Sequence, residues 1–227
     1  LLFNGSMARA TLNGSKTQTR RIITAHNSFV DGHGISNKRW QEMAFDMAQA
    51  RLDNGPSPAG NAGPYLKAPS ASEGTTHRLY PRIQVGDLIW GRETTKEDVA
   101  GSESLAVYAA DDAPVCQLSR WAHWDYSRPV RPSIHMPRWA ARILLEVVSV
   151  RPERLNDISE TDAIAEGIVS RKLTNCRTGP KTVYGLANDI DAFAVDAVQA
   201  YSHLWEQING ADSWEANPWV WVIEFKR

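Results

Sequence analysis

The most regular stretch of the chain is Ala141-Arg-Ile-Leu-Leu-Glu-Val-Val-Ser-Val150. Ile143, Leu145 and Val147 alternate with the residues between them, and Ser149 continues the same face. This period of two is typical of a half-buried β-strand. The stretch is longer than the roughly five or six residues of an average strand. It therefore predicts a long strand around which the other elements are arranged.

Shorter strands and helices are predicted on both sides of this strand. The further strands are Lys16–Ile23, Leu88–Glu93, Leu105–Ala109 and Trp219–Phe225. The helices are Ser6–Leu12 before the stop signal Asn13–Gly14, a helix that Ser159 caps and that ends near Glu166–Gly167, and Ile190–Ile208 before Asn209–Gly210. Five or so strands with short connections and helices against them predict an α+β, mainly β, fold. Its expected form is a small β-barrel flanked by helices.

Residues 24–81 differ from the rest of the chain in composition and in hydrophobic pattern. One amphipathic helix is predicted near Asn37–Leu52, and Asp53–Thr76 is dense in glycine and proline. Such composition is typical of loops rather than of a core. We therefore expect residues 24–81 to be a mobile insertion within a single domain that spans residues 1–227.

Composition narrows the function classes only a little. The chain is 42% hydrophobic and 22% charged with a net charge of −1, which excludes wholesale disorder and favours no partner class. No apolar run approaches the roughly 20 residues that cross a bilayer, and no leader is visible, so a cytoplasmic location without membrane association is expected. Cys116 and Cys176 lack metal or nucleophile spacing, and His26 and His33 lack a third ligand. No metal and no cofactor is therefore expected.

Positive charge is concentrated between residues 120 and 142. Five arginines face a single acidic residue there: Arg120, Arg128, Arg131, Arg138 and Arg142 against Asp125. Trp121, Trp124, Tyr126 and Trp139 are interleaved with them. Arginine binds phosphate and aromatic rings stack on bases, which predicts a nucleic-acid face formed by Arg120, Arg128 and Arg131, with Arg20 from the N-terminal strand. The alternative is a small tryptophan core with solvated arginines.

The segment Gly14-Ser-Lys-Thr-Gln-Thr-Arg-Arg21 resembles the signature of the ASCH domain, a branch of the PUA-like superfamily, at Gly14, Lys16, Thr19 and Arg21. The order of later elements is also similar: Gly86–Asp87 before a strand, then the strand near 141–150 and the segment Ile158–Ile168. Pro132–Ala140 and Trp214–Arg227 are similar to ASCH proteins of phages and prophages. The resemblance implies a PUA-like barrel and, for a phage-encoded chain, the host cytoplasm.

One branch of the ASCH family is a small bacterial amidohydrolase that deacetylates acetylcytidine. The resemblance to it implies Lys16, Thr19 and Glu166 as the catalytic group and Arg21 as a substrate contact. Thr19 would supply a hydroxyl nucleophile, Lys16 the base, and Glu166 would hold the lysine, orient water or shuttle the proton. Because residues three apart on a regular strand face opposite sides, Lys16 and Thr19 can share a pocket only through a turn or bulge.

Four further residues are candidate substrate contacts. Arg92 and Glu93 could read a base edge, and His135 and Arg138 could touch the ligand. A plain ion pair explains the first two equally well, and a structural role explains His135. The expected function is hydrolysis of an amide on an acylated, acetylcytidine-type nucleoside or nucleic-acid base. A non-catalytic RNA, DNA or modified-base binding module and a phage accessory interaction protein are the alternatives, and the oligomeric state is left open.

Overall fold

The computed structural model describes residues 2–55, 64–100, 102–174, 181–186 and 194–227. The helices are α1 (Gly5–Leu12), α2 (Asn37–Met43), α3 (Glu160–Ala165) and α4 (Ala197–Asn209), with 3-10 turns at Ser133–His135, Arg138–Ala140 and Leu155–Asp157. The strands are β1 (Gln18–Ile22), β2 (Ser28–Val30), β3 (Arg51–Asp53), β4 (Tyr65–Pro69), β5 (Thr76–Pro81), β6 (Leu88–Gly91), β7 (Thr95–Ala100), β8 (Glu103–Tyr108), β9 (Cys116–Gln117), β10 (Arg120–Trp121), β11 (Val130–Arg131), β12 (Ile143–Arg154), β13 (Val169–Leu173), β14 (Lys181–Gly185) and β15 (Trp219–Lys226). The expected α+β, mainly β, class is confirmed.

An antiparallel sheet in the order β1-β15-β12-β6 forms the centre of the molecule. The predicted long strand is β12, which pairs with β15 along its second half and with β6 along its first. Arg20 lies opposite Val222, which lies opposite Arg151. Among the described strands no sheet closes into a barrel, because β1 and β6 are the two unpaired edges of this sheet. The free edge of β1 is the feature on which the candidate site is built.

A β-bulge in β12 changes the face of the sheet on which the odd-numbered side chains lie. Val147 lies opposite Phe225, whereas Ser149 lies opposite Glu224, so Val148 is an extra residue between two adjacent partners. An extra residue turns every following side chain to the other face. The prediction that Ser149 shares a face with Ile143 is therefore wrong.

The helices α3 and α4 cover one face of the central sheet, here called the helix face. Their core packs on Val220 and Val222 of β15. The Ser159 hydroxyl accepts a hydrogen bond from the Asp162 N–H at 3.1 Å, so the predicted cap of α3 is confirmed. The described part of the predicted helix Ile190–Ile208 is α4, and residues 187–193 lie outside the described residues.

A second antiparallel sheet, in the order β2-β5-β4-β3, covers the opposite face, here called the sheet face. Leu66 and Leu79 of this sheet are fully buried against Trp221 and Ile223 of β15. The described part of residues 24–81 therefore contains a packed layer, which its loop-like composition did not indicate, and its mobility stays a prediction. The helix predicted near Asn37–Leu52 ends at Met43, because Ala44 adopts the left-handed conformation with φ 46°.

A third sheet, in the order β11-β7-β8, and the short pair β9–β10 hold the arginine-rich region. The strands within residues 111–138 are only two residues long: β9, β10 and β11. Its core includes Tyr108, Val115 and Met136. Some of the interleaved aromatic residues thus belong to a small packed unit.

Candidate functional site

The turn after α1 places Lys16 ahead of β1 rather than within it. Asn13 caps the helix and Gly14 takes the left-handed conformation with φ 81°, which glycine adopts without strain. The chain then folds back on α1, with the Lys16 N–H donating to the Ala10 carbonyl at 2.9 Å. The side chain of Lys16 is consequently buried, with 1% of its surface exposed.

The Lys16 ammonium has three hydrogen-bond partners in the interior. Its Nζ donates to Glu166 Oε2 at 2.7 Å, to the Glu166 carbonyl at 2.8 Å and to the Gln18 carbonyl at 2.8 Å. These bonds use all three ammonium protons. Burial lowers the pKa of Lys16 from its ordinary value, and this effect outweighs the opposing effect of the Glu166 carboxylate.

Glu166 follows α3 and is held from three sides. Besides Lys16, its carboxylate accepts a hydrogen bond from Arg20 Nη1 at 3.3 Å and interacts with the Tyr201 hydroxyl on α4. Burial, together with the nearby Glu166 charge, raises the pKa of Tyr201 well above its ordinary value. The next residue, Gly167, has φ 104°, and a Cβ there would lie 3.5 Å from the Lys16 side chain. That distance is an ordinary van der Waals contact, so it is the positive φ, which residues with a side chain rarely adopt, that favours glycine directly after Glu166.

Arg20 belongs to a buried ionic network on the helix face. Its Nη2 lies 2.9 Å from Glu153 and 3.2 Å from Asp162, and none of its side chain is exposed. The bulge in β12 brings Glu153 to this face. The guanidinium is therefore committed to carboxylates, and the prediction that Arg20 contacts nucleic acid is contradicted by its burial.

A cleft of about 160 Å³ follows the free edge of β1. Its walls come from β1, α1, α4 and the residue after α3, and the lining residues are Met7, Thr19, Arg20, Arg21, Ile22, Asn27, Glu166, Tyr201, Leu204, Trp205, Ile208 and Asn209. Pockets for drug-sized ligands have volumes of roughly 300–1,000 Å³. The cleft therefore fits a single-ring part of a ligand rather than a whole nucleotide.

The backbone of β1 presents a donor and an acceptor to this cleft. The Phe225 N–H donates to the Thr17 carbonyl at 2.9 Å, and the Ile23 N–H to the Trp219 carbonyl at 3.1 Å. In an antiparallel ladder only every second residue bonds to the neighbouring strand. Because Thr17 and Ile23 are bonded to β15, the N–H and C=O of Arg20, which is three residues from each, point away from β15. The Arg20 peptide groups therefore face the cleft side of the strand, next to the Glu166 carboxylate.

Strand alternation places the side chains of Thr19 and Arg21 opposite that of Arg20, on the sheet face. All three residues still line the cleft because it follows the strand edge. Within the described residues, the Thr19 hydroxyl forms no hydrogen bond, and Lys16 forms none with it. The structure thus brings Thr19, Arg21 and Glu166 to one cleft, with Lys16 behind Glu166.

Glu93 belongs to a different buried cluster. Its carboxylate accepts two hydrogen bonds from Arg142, at 2.9 and 2.7 Å, and Arg142 also binds Asp111 and lies 3.8 Å from the centroid of the Tyr108 ring. Burial raises the pKa of Tyr108 to about 12. Because Arg142 occupies the Glu93 carboxylate, the prediction that Glu93 reads a base edge is not supported by its contacts.

The remaining predicted arginines divide into exposed and buried ones. Arg92 and Arg138 lie over the Trp90 ring, 4.5 and 5.9 Å from its centroid. Arg120, Arg128, His135 and Arg138 are exposed and Arg92 is half-buried, and His135 lies 6.1 Å from the Tyr126 ring. Arg131 is instead 6% exposed, contacts the Trp124 and Tyr126 rings and pairs with Asp125. Arg131 therefore has a structural role, contrary to the prediction.

Sequence reasoning missed Tyr201 and the acidic partners of Arg20. The helical period marks Tyr201 only as a core position, and Glu153 and Asp162 meet Arg20 across 133 and 142 residues. Across the described ranges, no three His, Cys, Asp or Glu side chains are grouped as metal ligands. No described helix is long and apolar enough to cross a membrane.

No protein-family model, curated protein or solved structure matches the chain. The ASCH resemblance therefore rests on residues 14–21 and on the order of the later elements. The arrangement at the edge of β1 has to be interpreted from its own geometry.

Proposed function

We propose that the cleft at the edge of β1 hydrolyses the amide of an acylated cytosine-type base. The observation that carries the proposal is the buried pair of Lys16 and Glu166, 2.7 Å apart, at the wall of a cleft. Burying two charges carries a penalty of several kcal/mol per ion before their attraction is counted. Titratable groups perturbed in this way are concentrated at functional sites.

Glu166 is the proton carrier in the proposed reaction. A water molecule attacks the acyl carbon while the Glu166 carboxylate takes one of its protons. The bond from the acyl carbon to the exocyclic nitrogen then breaks, and the same proton passes to the departing amine. The products are a carboxylic acid and the free amino base. Lys16 orients Glu166 throughout through its two hydrogen bonds to that residue.

The other lining groups position the substrate. An N-acylated cytosine carries a ring nitrogen acceptor beside an exocyclic N–H donor, and the C=O and N–H of Arg20 complement this pair. The Thr19 hydroxyl is assigned to the acyl oxygen, where it stabilises the developing negative charge. This division of roles differs from the family-based expectation of a Thr19 nucleophile because the Lys16 protons are already engaged.

Turnover of a panel of acylated cytidines, followed by chromatography of the products, tests the proposal. Glu166→Gln keeps the shape of the side chain and should lower kcat at least a hundredfold. Asp162→Asn is the matched control, because Asp162 contacts the same Arg20 but does not line the cleft. Mass spectrometry during turnover distinguishes the nucleophiles, since an acyl group on Thr19 would replace the water mechanism. Full activity of Glu166→Gln would contradict the proposal.

A non-catalytic reader of modified bases is the second candidate. Arg92, over Trp90, is joined to the cleft through the N-terminal segment: Leu2 pairs with Arg92, and the Leu2 carbonyl accepts from Arg21 Nη2 at 3.5 Å. A strand of nucleic acid on this surface could therefore place one base near the cleft. Salt-sensitive binding of oligonucleotides without turnover would favour this candidate.

A further inference from the structure

A second cavity, of about 190 Å³, adjoins the cleft on the sheet face. We call it the apolar chamber, and its lining residues are Arg21, Asn27, Pro81, Ile83, Trp221 and Ile223. Arg21 and Asn27 also line the cleft. The two cavities therefore meet at these two residues, on either side of the edge of β1.

Both layers of the fold build the chamber. Trp221 and Ile223 belong to β15, whereas Pro81 ends β5 in the second sheet. The Trp221 indole N–H donates to the Ser28 hydroxyl at 2.9 Å, which fixes the ring between the layers. Asn27 is fixed as well, because its Nδ2 donates to the Ile22 carbonyl at 2.7 Å. The chamber is thus a preformed apolar space.

The positive charge of Arg21, at the entrance of the apolar chamber, is not neutralised. Within the described residues, the Arg21 guanidinium meets only the Leu2 carbonyl, at 3.5 Å, and no carboxylate lies within ion-pair distance. A cationic group beside an apolar space complements a ligand with an oxygen-bearing head and an apolar tail. An acyl group, and the carboxylate that its hydrolysis releases, has this form.

We infer that the apolar chamber is the acyl subsite of the cleft, with the acyl or carboxylate oxygen held by Arg21 together with the Thr19 hydroxyl, and the hydrocarbon part between the two sheets. The inference rests on the proposed function for its substrate. An apolar cavity of roughly 150 Å³ accommodates benzene, so the chamber holds an aromatic ring or a branched chain, and an acetyl group fills little of it. The preferred substrates then carry acyl groups larger than acetyl.

Binding of free carboxylates tests the subsite without any turnover. Benzoate should bind at least tenfold more tightly than acetate by calorimetry, since each buried methylene equivalent contributes about fourfold. Ile83→Trp should fill the chamber and abolish this preference, whereas Val85→Trp introduces the same side chain at an exposed neighbouring position and should preserve it. Arg21→Gln should weaken benzoate about tenfold. Ile223→Val, which removes one methyl group, should improve binding of 4-methylbenzoate relative to benzoate.

Measurements of turnover distinguish the hydrolase proposal from the acyl-subsite inference. Benzoylcytidine should exceed acetylcytidine in kcat/KM at least tenfold, and only in proteins with an open chamber. If no acylated nucleoside is hydrolysed but benzoate binding depends on Arg21 and Ile83, the hydrolase is wrong and the subsite stands. Equal binding of acetate and benzoate, or a preference that neither Ile83→Trp nor Ile223→Val changes, overturns the subsite even if acetylcytidine is hydrolysed.

Discussion

Lys16 binds Glu166 at two points, at the carboxylate Oε2 and at the main-chain carbonyl, across 150 residues of sequence. The pair therefore joins the turn after α1 to the end of α3. Because Glu166 lines the cleft and Lys16 lies behind it, any effect of the lysine on a ligand in the cleft would pass through the glutamate.

Removing one partner of this pair should destabilise the protein strongly. Lys16→Met leaves the Glu166 carboxylate buried with only part of its compensation, and the expected loss is about 3–5 kcal/mol of unfolding free energy. Adding Glu166→Leu should recover much of the loss, since the unpaired charge is then removed. Denaturant unfolding measures both effects. Lys38→Met, at an exposed lysine paired with Glu42, is the control and should change stability by less than about 1 kcal/mol.

Acid should selectively remove the contribution of Asp162. Burial would raise the pKa of Asp162, but the hydrogen bond from Gln18 and the charges of Arg20 and Arg151 outweigh it and lower that pKa below its ordinary value of 3.8. A depressed carboxyl pKa stabilises the fold above the unfolded value, and this stability is lost as pH falls through the folded value. The stability difference between the parent and Asp162→Asn should therefore shrink below about pH 4. A difference that grows on acidification would contradict this assignment.

The second sheet should contribute to global stability. Leu79→Ala removes a fully buried side chain from the interface with the central sheet and should cost about 2–5 kcal/mol. Leu52→Ala, at a leucine that is 47% exposed in the same sheet, should have little effect. Thermal unfolding of both variants is the measurement. If Leu79→Ala were neutral, residues 24–81 would be the loosely attached excursion that their composition suggested.

The arginines that reach the surface and the buried Arg131 should behave differently toward nucleic acid. If the protein binds an oligonucleotide, Arg92→Ala and Arg138→Ala should each reduce the salt slope of binding by about one unit per lost phosphate contact. Arg131→Ala should leave that slope unchanged and lower the unfolding free energy, because its guanidinium packs on Trp124 and Tyr126. An unchanged slope in both the Arg92 and the Arg138 variant would remove this surface from the reader hypothesis.

The sequence predicted those helices and strands whose ends are set by a capping residue, a glycine stop or an apolar run. Asn13–Gly14 ends α1, Ser159 caps α3, and the apolar run from Trp219 forms β15. The end of α2 had no such signal, because alanine rarely adopts the left-handed conformation that Ala44 takes. In residues 24–81, the glycine and proline density gave no sign of the short strands that pack against the central sheet.

The candidate site was predictable only in part. The family resemblance pointed to Lys16 and Thr19 within residues 14–21 and to Glu166 in the later segment, and the contacts join Lys16 to Glu166. The sequence could not distinguish Arg20 from Arg21, because nothing in two adjacent arginines indicates which side chain is buried. The register of β1 and the bulge in β12 decide this, and both depend on pairings between distant segments.

The bulge also makes chain length as permissive as side-chain identity at one position. Val148 is 41% exposed, so many residues should be accepted there. Its deletion would make Val147 and Ser149 neighbours opposite Phe225 and Glu224, in a regular pleat that keeps Arg151 and Glu153 on the face of Arg20. A library of variants across β12 would then tolerate almost every replacement of Val148 and also the chain shortened by this residue, because the counter-charges reach the same side of the sheet in both.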